Sequence, residues 1–109
     1  MIIGAAMAKV FLAKTSDVPE GKIKQIKVEG KDDIALANVS GNYYAMRGLC
    51  NHQEGPLGEG ELVGNVVTCP WHGSKWDVIT GKLVEFPLEL DPEPTYPVTV
   101  EGDSIFAEL

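Results

Sequence analysis

The chain has two cysteines and two histidines, and all four fall within residues 50–72. Cys50-Asn51-His52 opens this stretch and Cys69-Pro70-Trp71-His72 closes it, with residues 53–68 between the pairs. A thiolate and an imidazole two or three positions apart share one side of a tight loop. Two such loops can close on one metal centre. Mixed thiolate and imidazole donors narrow the choice to zinc, iron–sulfur or, less favourably, copper. Structural zinc sites use the same donors, but usually group Cys with Cys and His with His. Here each loop gives one of each. That alternation suits a binuclear centre in which one iron takes both cysteines and the other both histidines. On the residues alone, a zinc-stabilised interaction domain and a set of incidental polar residues stay open. With both histidines used as ligands no Ser/His/Asp set is possible, and no phosphate-binding glycine loop precedes a helix.

The residues around the donors fit supporting roles. Glycines 55, 58, 60 and 73 suit loops whose backbone N–H groups must point at anionic sulfur. For Gly58 and Gly60, ordinary turn punctuation is an equal reading. Pro56, Leu57, Trp71 and residues 87–94 are candidates for a lid that keeps water off the buried side of the centre. Trp71 and Trp76 could equally fill the core.

The elements that must position these loops read as short strands. Residues 9–13 (Lys-Val-Phe-Leu-Ala) are strand-like, and residues 15–21, with Asp17, Pro19 and Gly21, form a loop. Residues 23–28 mix apolar and polar positions as a half-buried strand does. Residues 34–39 form another strand, and Ser40-Gly41-Asn42 a hairpin turn. Residues 43–46 lead into Cys50. Residues 61–63 and 66–68 flank Gly64-Asn65 as a tight hairpin that delivers Cys69. Residues 76–79 and 82–84 flank Thr80-Gly81 as a second hairpin. Residues 87–94 are a proline-interrupted loop, and residues 97–100 and 104–107 form the last hairpin. No helix start with a cap and a 3.6-residue period is found. Evenly spaced short strands with turn signals imply an all-β antiparallel sandwich or barrel.

At 109 residues, with 44% hydrophobic and 23% charged residues, the chain reads as one globular domain, residues 1–109. A net charge of −7 and a pI near 4.7 argue against nucleic acid as a partner. The basic residues Lys9, Lys14, Lys22, Lys24, Lys27 and Lys31 crowd the first third. After Lys82 come only acids: Glu85, Glu89, Asp91, Glu93, Glu101, Asp103 and Glu108. That acidic run is either a docking face for a basic partner or a solvated face. No stretch approaches the ~20 apolar residues that cross a bilayer. Residues 1–7 are apolar but short and lack the positive leader of a signal peptide, so they read as a disordered tip or a lead-in to the first strand, and Met7 as a possible start. A soluble, cytoplasmic protein with no membrane partner is expected. In that setting, cysteines beside histidines favour metal over disulfide.

The pattern Cys50-x-His52 … Cys69-x-x-His72-Gly73, followed by Trp76, resembles the Rieske [2Fe–2S] signature. The resemblance implies one [2Fe–2S] cluster, with Cys50 and Cys69 on an inner iron and His52 and His72 on an outer iron near the surface. It also implies a Rieske-like antiparallel β fold whose cluster-binding part spans about residues 48–86. Rieske proteins of cytochrome bc-type complexes add a cysteine to each loop and join the two in a disulfide. The corresponding positions here are Gly55 and Trp71, so that brace is impossible. Those proteins also carry a Ser and a Tyr whose hydroxyls serve the cluster sulfurs. Ser74 matches the first and Trp76 replaces the second. The soluble Rieske-type ferredoxins are the most similar branch, which implies electron transfer from a ferredoxin reductase to a terminal oxygenase. Small subunits of nitrite reductases are a second implied role. A cluster with two neutral imidazoles is less negative than an all-cysteine one. Its potential therefore rises from about −400 mV into roughly the −150 to +300 mV range. Without the tyrosine hydroxyl, the lower half of that range is expected, with Ser74 recovering part of the loss. Proton coupling at the imidazoles should make the potential fall at alkaline pH.

Overall fold

The computed structural model describes residues 8–51 and 54–109. The expectations for residues 1–7 and the position of His52 lie outside the described residues. Among the described residues every strand pairing is antiparallel, and the strands form three sheets. β1 (Lys9–Lys14), β11 (Ser104–Glu108) and β10 (Val98–Glu101) form a terminal sheet in the order β1-β11-β10. β2 (Ile23–Ile26), β3 (Ile34–Val39), β4 (Asn42–Arg47) and β9 (Thr95–Tyr96) form a central sheet in that order. β5 (Glu61–Val63), β6 (Val66–Thr68), β7 (Lys75–Asp77) and β8 (Leu83–Glu85) form a third sheet, again in chain order. Among the described residues the only helical pieces are 3-10 turns at Thr15–Asp17 and Leu57–Glu59. No helix there is long and apolar enough to cross a membrane.

β3 explains how the sheets stack. Successive side chains of a strand point to opposite faces, and five consecutive residues of β3, Ile34 to Asn38, are buried. Ile34 and Leu36 face one core, with Leu12, Ala13, Val18, Ala45, Ile105 and Ala107 of the terminal-sheet side. Ala35 and Ala37 face a second core, with Met46, Cys50, Leu57, Val67, Cys69, Trp76 and Val78. Large residues thus point at the terminal sheet and methyl groups at the loop-bearing part. The short side chains let the Leu57 turn sit close on the central sheet. Both cysteines belong to this second core.

The hairpins follow turn chemistry. Val39 pairs with Asn42 around Ser40-Gly41, whose φ values are 54° and 91°. Two positive φ values in a two-residue loop match the twist of a β-hairpin. β5 and β6 pair around Gly64-Asn65 as expected. The second expected hairpin is shorter than the sequence suggested, since residues 78 and 79 are turn rather than strand. Asp77 is the cause: its Oδ1 accepts from the backbone N–H groups of Ile79 at 2.8 Å and Thr80 at 3.4 Å. Such side-chain acceptors compete with the strand ladder. β2 stops at Ile26, two residues early, and β9 was not anticipated because its two residues are too few to show a period.

Leu36 is fully buried between two sheets. Leu36→Ala should cost about 2–5 kcal/mol by lost transfer energy and cavity formation. Urea unfolding followed by far-UV circular dichroism will show the loss as a lowered midpoint.

Candidate metal centre

The first loop leaves β4 and returns to the Leu57 turn. The Cys50 N–H donates to Gly55 O at 2.9 Å, and the Glu54 N–H donates to Cys50 O at 2.7 Å. The second loop joins β6 to β7. There the Cys69 N–H donates to Ser74 O at 2.8 Å, and the Gly73 N–H donates to Cys69 O at 3.0 Å. The two loops share one hydrogen-bond frame, closed five residues beyond each cysteine. The penultimate residue of each frame has a positive φ, 59° at Glu54 and 78° at Gly73. Glycine takes that conformation freely, whereas a glutamate needs outside support.

The two thiols are unpaired with each other and buried, each 1% exposed. Gly55 brings the loops together. A Cβ there would stand 2.7 Å from Cys69 Sγ and 3.1 Å from Trp71 Cβ, so only a residue without a side chain fits. His72 is on the exposed rim beside Trp71, which is 58% exposed rather than packed in the core. Among the described residues, no three of His, Cys, Asp and Glu converge on a single ion.

Ser74 and Trp76 are completely buried. The Trp76 indole N–H donates to Ser74 Oγ at 2.9 Å, and Ser74 Oγ stands 3.4 Å from Cys50 Sγ. An indole nitrogen can only donate. With Trp76 donating to one lone pair of Ser74 Oγ, the hydroxyl hydrogen is free to point at Cys50 Sγ, and a metal-bound sulfur there could only accept it. Trp76 therefore does not substitute for a missing hydroxyl; it aims the hydroxyl that is present. Leu57 is buried in the same core as both cysteines, with Pro56 half-buried and bridged to Leu49. Of residues 87–94, most are exposed, but Leu90 packs on that core. Asn51 Nδ2 donates to Asp91 O at 2.6 Å, tying this segment to the first loop.

Three residues that the sequence did not single out also shape the site. Gln25 on β2 donates from Nε2 to Gly48 O at 2.9 Å and to Asp33 Oδ2 at 3.2 Å. Its Oε1 accepts from the Gly58 N–H at 2.6 Å. A Cβ on Gly58 would come within 2.5 Å of Gln25 Cα, so this glycine is a docking point and not mere turn punctuation. Arg47, the chain's sole arginine, lies at the end of β4 just before Cys50. Glu93 is 2% exposed and so leaves the acidic surface run in which the sequence placed it. Burial pushes its carboxyl up to about 7, with the charge of Arg47 pulling the other way. A lone arginine among lysines was the one available signal, since the guanidinium fork suits partly buried, multi-partner contacts.

Comparison with known proteins agrees with this geometry. The Rieske [2Fe-2S] domain family model matches residues 8–97. The chain is 39% identical to the p-cumate 2,3-dioxygenase system ferredoxin component of Pseudomonas putida, over 92% of this chain and 85% of that one. It is 38% identical to the 3-phenylpropionate/cinnamic acid dioxygenase ferredoxin subunit of Escherichia coli K12, over 94% and 95%. Among solved structures, the Sphingomonas yanoikuyae B1 ferredoxin superposes with a TM-score of 0.85 at 30% identity, covering 94% of this chain and 99% of that chain. A chain from a complex of reduced oxygenase and oxidized ferredoxin in carbazole 1,9a-dioxygenase gives 0.84 at 28% identity, covering 92% of each. The buried thiols, the hydroxyl aimed at Cys50 and the cradle that a Cβ at Gly55 would fill all fit a [2Fe–2S] cluster.

Two measurements test these contacts. Ser74→Ala removes a hydrogen bond worth about 1 kcal/mol to the electron-rich state. For one electron that is roughly 40 mV, so protein-film voltammetry should show the midpoint potential lowered by that order. Trp76→Phe should lower it too, by releasing the hydroxyl. The second concerns Glu93. A carboxyl shifted from 4.5 to about 7 takes up protons on folding. Its term therefore favours the fold below pH 4.5 and is lost as pH rises through 7, by about 3 kcal/mol at most. Unfolding free energies between pH 5 and 8 should fall more steeply in the parent protein than in Glu93→Gln.

Proposed function

The chain belongs to the Rieske [2Fe–2S] family, and we propose that it is a one-electron carrier that takes electrons from a ferredoxin reductase and delivers them to a terminal oxygenase. It acts as a component of a multicomponent oxygenase system and not as the catalyst of that system. The whole chain serves as one domain, with residues 48–86 as its cluster-binding part. Cys50 and Cys69 hold the inner side of the [2Fe–2S] cluster, and His52 and His72 hold its outer side. When bound, the cluster supplies reversible one-electron redox chemistry. The observation that carries this reading is the asymmetry of the donors: both thiols lie inside the core, while His72 stands on the exposed rim.

Each residue then has a physical task. The burial of Cys50 and Cys69 beside Leu57, Val67 and Trp76 excludes water from the thiolate side. Ser74 gives a hydroxyl hydrogen to Cys50 and favours the state with more electron density there. Gly55 admits the Cys69 sulfur against the first loop. His72 and Trp71 offer a partner a surface it can approach closely, which electron transfer requires, and Trp71 adds a rigid apolar contact of the kind that anchors interfaces.

Visible absorption, iron and acid-labile sulfide of the purified protein test the reading. Cluster absorption with two irons and two sulfides per chain is expected. A colourless protein holding one zinc and no sulfide refutes it. His72→Ala should abolish cluster assembly, and retained cluster absorption in that variant would exclude His72 as a ligand. Reduction of the protein by a ferredoxin reductase and its reoxidation by a ring-hydroxylating oxygenase, followed by stopped-flow absorbance, tests the carrier role.

A further inference from the structure

We propose that half-buried Arg47 and buried Glu93 are a positioning pair that sets the conformation of the first loop by clamping it to residues 91–94. The inference rests on reading residues 50–55 as a cluster loop, but its evidence lies in the protein's own contacts.

Arg47 contacts that loop and the residue just before it. Its Nη1 donates to Leu49 O at 3.1 Å and to Asn51 Oδ1 at 3.3 Å, and its Nη2 lies 3.6 Å from Glu54 Oε2. Glu54 is the residue with the positive φ, so the ion pair falls on the strained position among the loop's described residues. Its Nε donates to Asp32 Oδ2 at 2.9 Å, which anchors the guanidinium from the far side. Facing all of this is Glu93, whose Oε1 lies 3.7 Å from Arg47 Nη1 and whose two oxygens have no hydrogen-bond partner among the described residues. A nearly inaccessible carboxylate with one ionic neighbour is held by its backbone. The Glu93 N–H donates to Gly81 O at 2.7 Å, and the Arg47 N–H donates to Pro94 O at 2.9 Å. Gly81, at φ 79°, is pressed so closely on Glu93 O that no Cβ fits. The β7–β8 turn therefore drives the carboxylate against Arg47 from one side, while Asn51 grips Asp91 O from the other. Asp32, Glu54 and Tyr96 are the remaining titratable groups around the pair. Such a pair is a poor source of net stability, because desolvation opposes it. Its geometry instead suits conformational selection of the loop.

The rival explanation is that both residues act only as point charges near the redox centre. The two accounts differ in sign at Glu93. As point charges, loss of Glu93 should raise the midpoint potential and loss of Arg47 should lower it. As a positioning pair, loss of either loosens the loop and its backbone donors, and donors to sulfur raise the potential. Both Arg47→Gln and Glu93→Gln should then lower it.

The test uses the holoprotein at pH 8.5, with hydrogen exchange and voltammetry on the parent, the two single variants and the double variant. The expected result is a lowered potential in both singles and at least tenfold faster exchange of the Cys50 and Glu54 amides in each. The double variant should exchange no faster than the worse single. Arg47→Lys, which keeps the charge but not the fork, should exchange like Arg47→Gln. An unchanged or raised potential in Glu93→Gln overturns the proposal. So do unchanged loop exchange in either single, additive effects in the double, or parent-like exchange in Arg47→Lys. Where Arg47→Gln does not fold, Arg47→Lys and Glu93→Gln decide between the same outcomes. A parent protein without cluster absorption would refute the functional reading, whereas the exchange rates would still decide the clamp.

Discussion

The side-chain amide of Gln25 is the contact on which the rest of the site depends. A loop that presents metal donors cannot pair its own backbone along a strand ladder, and it still needs a fixed base. Gln25 provides one by accepting from Gly58 after the loop and donating to Gly48 before it. The Leu57 N–H donating to Gly48 O at 2.8 Å and the Leu49–Pro56 bridge close the same neck. The first loop is thus pinned to β2 by hydrogen bonds that only glycine's bare backbone allows at this range. The second loop needs no such anchor, because β6 and β7 continue directly from it. The loops then meet through the missing side chain at Gly55. A chain without a disulfide between these loops thus holds them by close packing and by a polar neck.

The same economy governs the polar groups inside. Buried polar atoms are tolerated when partnered, and Trp76 and Ser74 meet that rule in series, the indole N–H donating to the hydroxyl and the hydroxyl paired with the Cys50 sulfur. A tyrosine in place of Trp76 would offer its own hydroxyl. Tryptophan instead fixes the direction of a neighbour's hydroxyl and fills the core at the same time. Glu93 breaks the rule, with both oxygens short of a hydrogen bond. Such exceptions persist where geometry matters more than stability, and this one faces the only guanidinium in the chain.

How much of this the sequence disclosed depended on range. β3 was read over Ile34–Val39 because its apolar run ends in a turn signal at Ser40-Gly41. The β5–β6 hairpin was legible from Gly64-Asn65 for the same local reason. The family resemblance stood on four donors within residues 50–72. Local competition was harder to see. Asp77 ends β7 by capturing two N–H groups, which a count of apolar residues at positions 78 and 79 does not register. Long-range partners left no trace. Gln25 meets Gly48 and Gly58 across the fold, and Arg47 meets Glu93 from far along the chain. Composition placed Glu93 among surface acids, whereas tertiary packing buries it. Gly58 read equally well as punctuation until the side chain it packs against was in view.

Under the proposed ligand set, the placement of the cysteines would tie assembly to folding. Cys50 and Cys69 are members of the core that also holds Ala35, Ala37, Leu57 and Trp76. Among the described residues, the other core, around Leu36 and Ile105, contains no candidate donor. Metal–ligand bonds formed by residues that the unfolded chain does not gather contribute their free energy to the fold. With Cys50 and Cys69 as the proposed ligands, that contribution would enter through this core and reach the central sheet through the alanine face of β3. Changes in the terminal-sheet core should then act on stability while leaving the centre's electronic character intact. Changes on the alanine face alter both, because the seating of the Leu57 turn sets where the first loop begins. Methyl groups on that face of β3 are accordingly a positional requirement of the site as much as a packing choice, and a larger side chain there would lift the loop from its base before it disturbed the sheet.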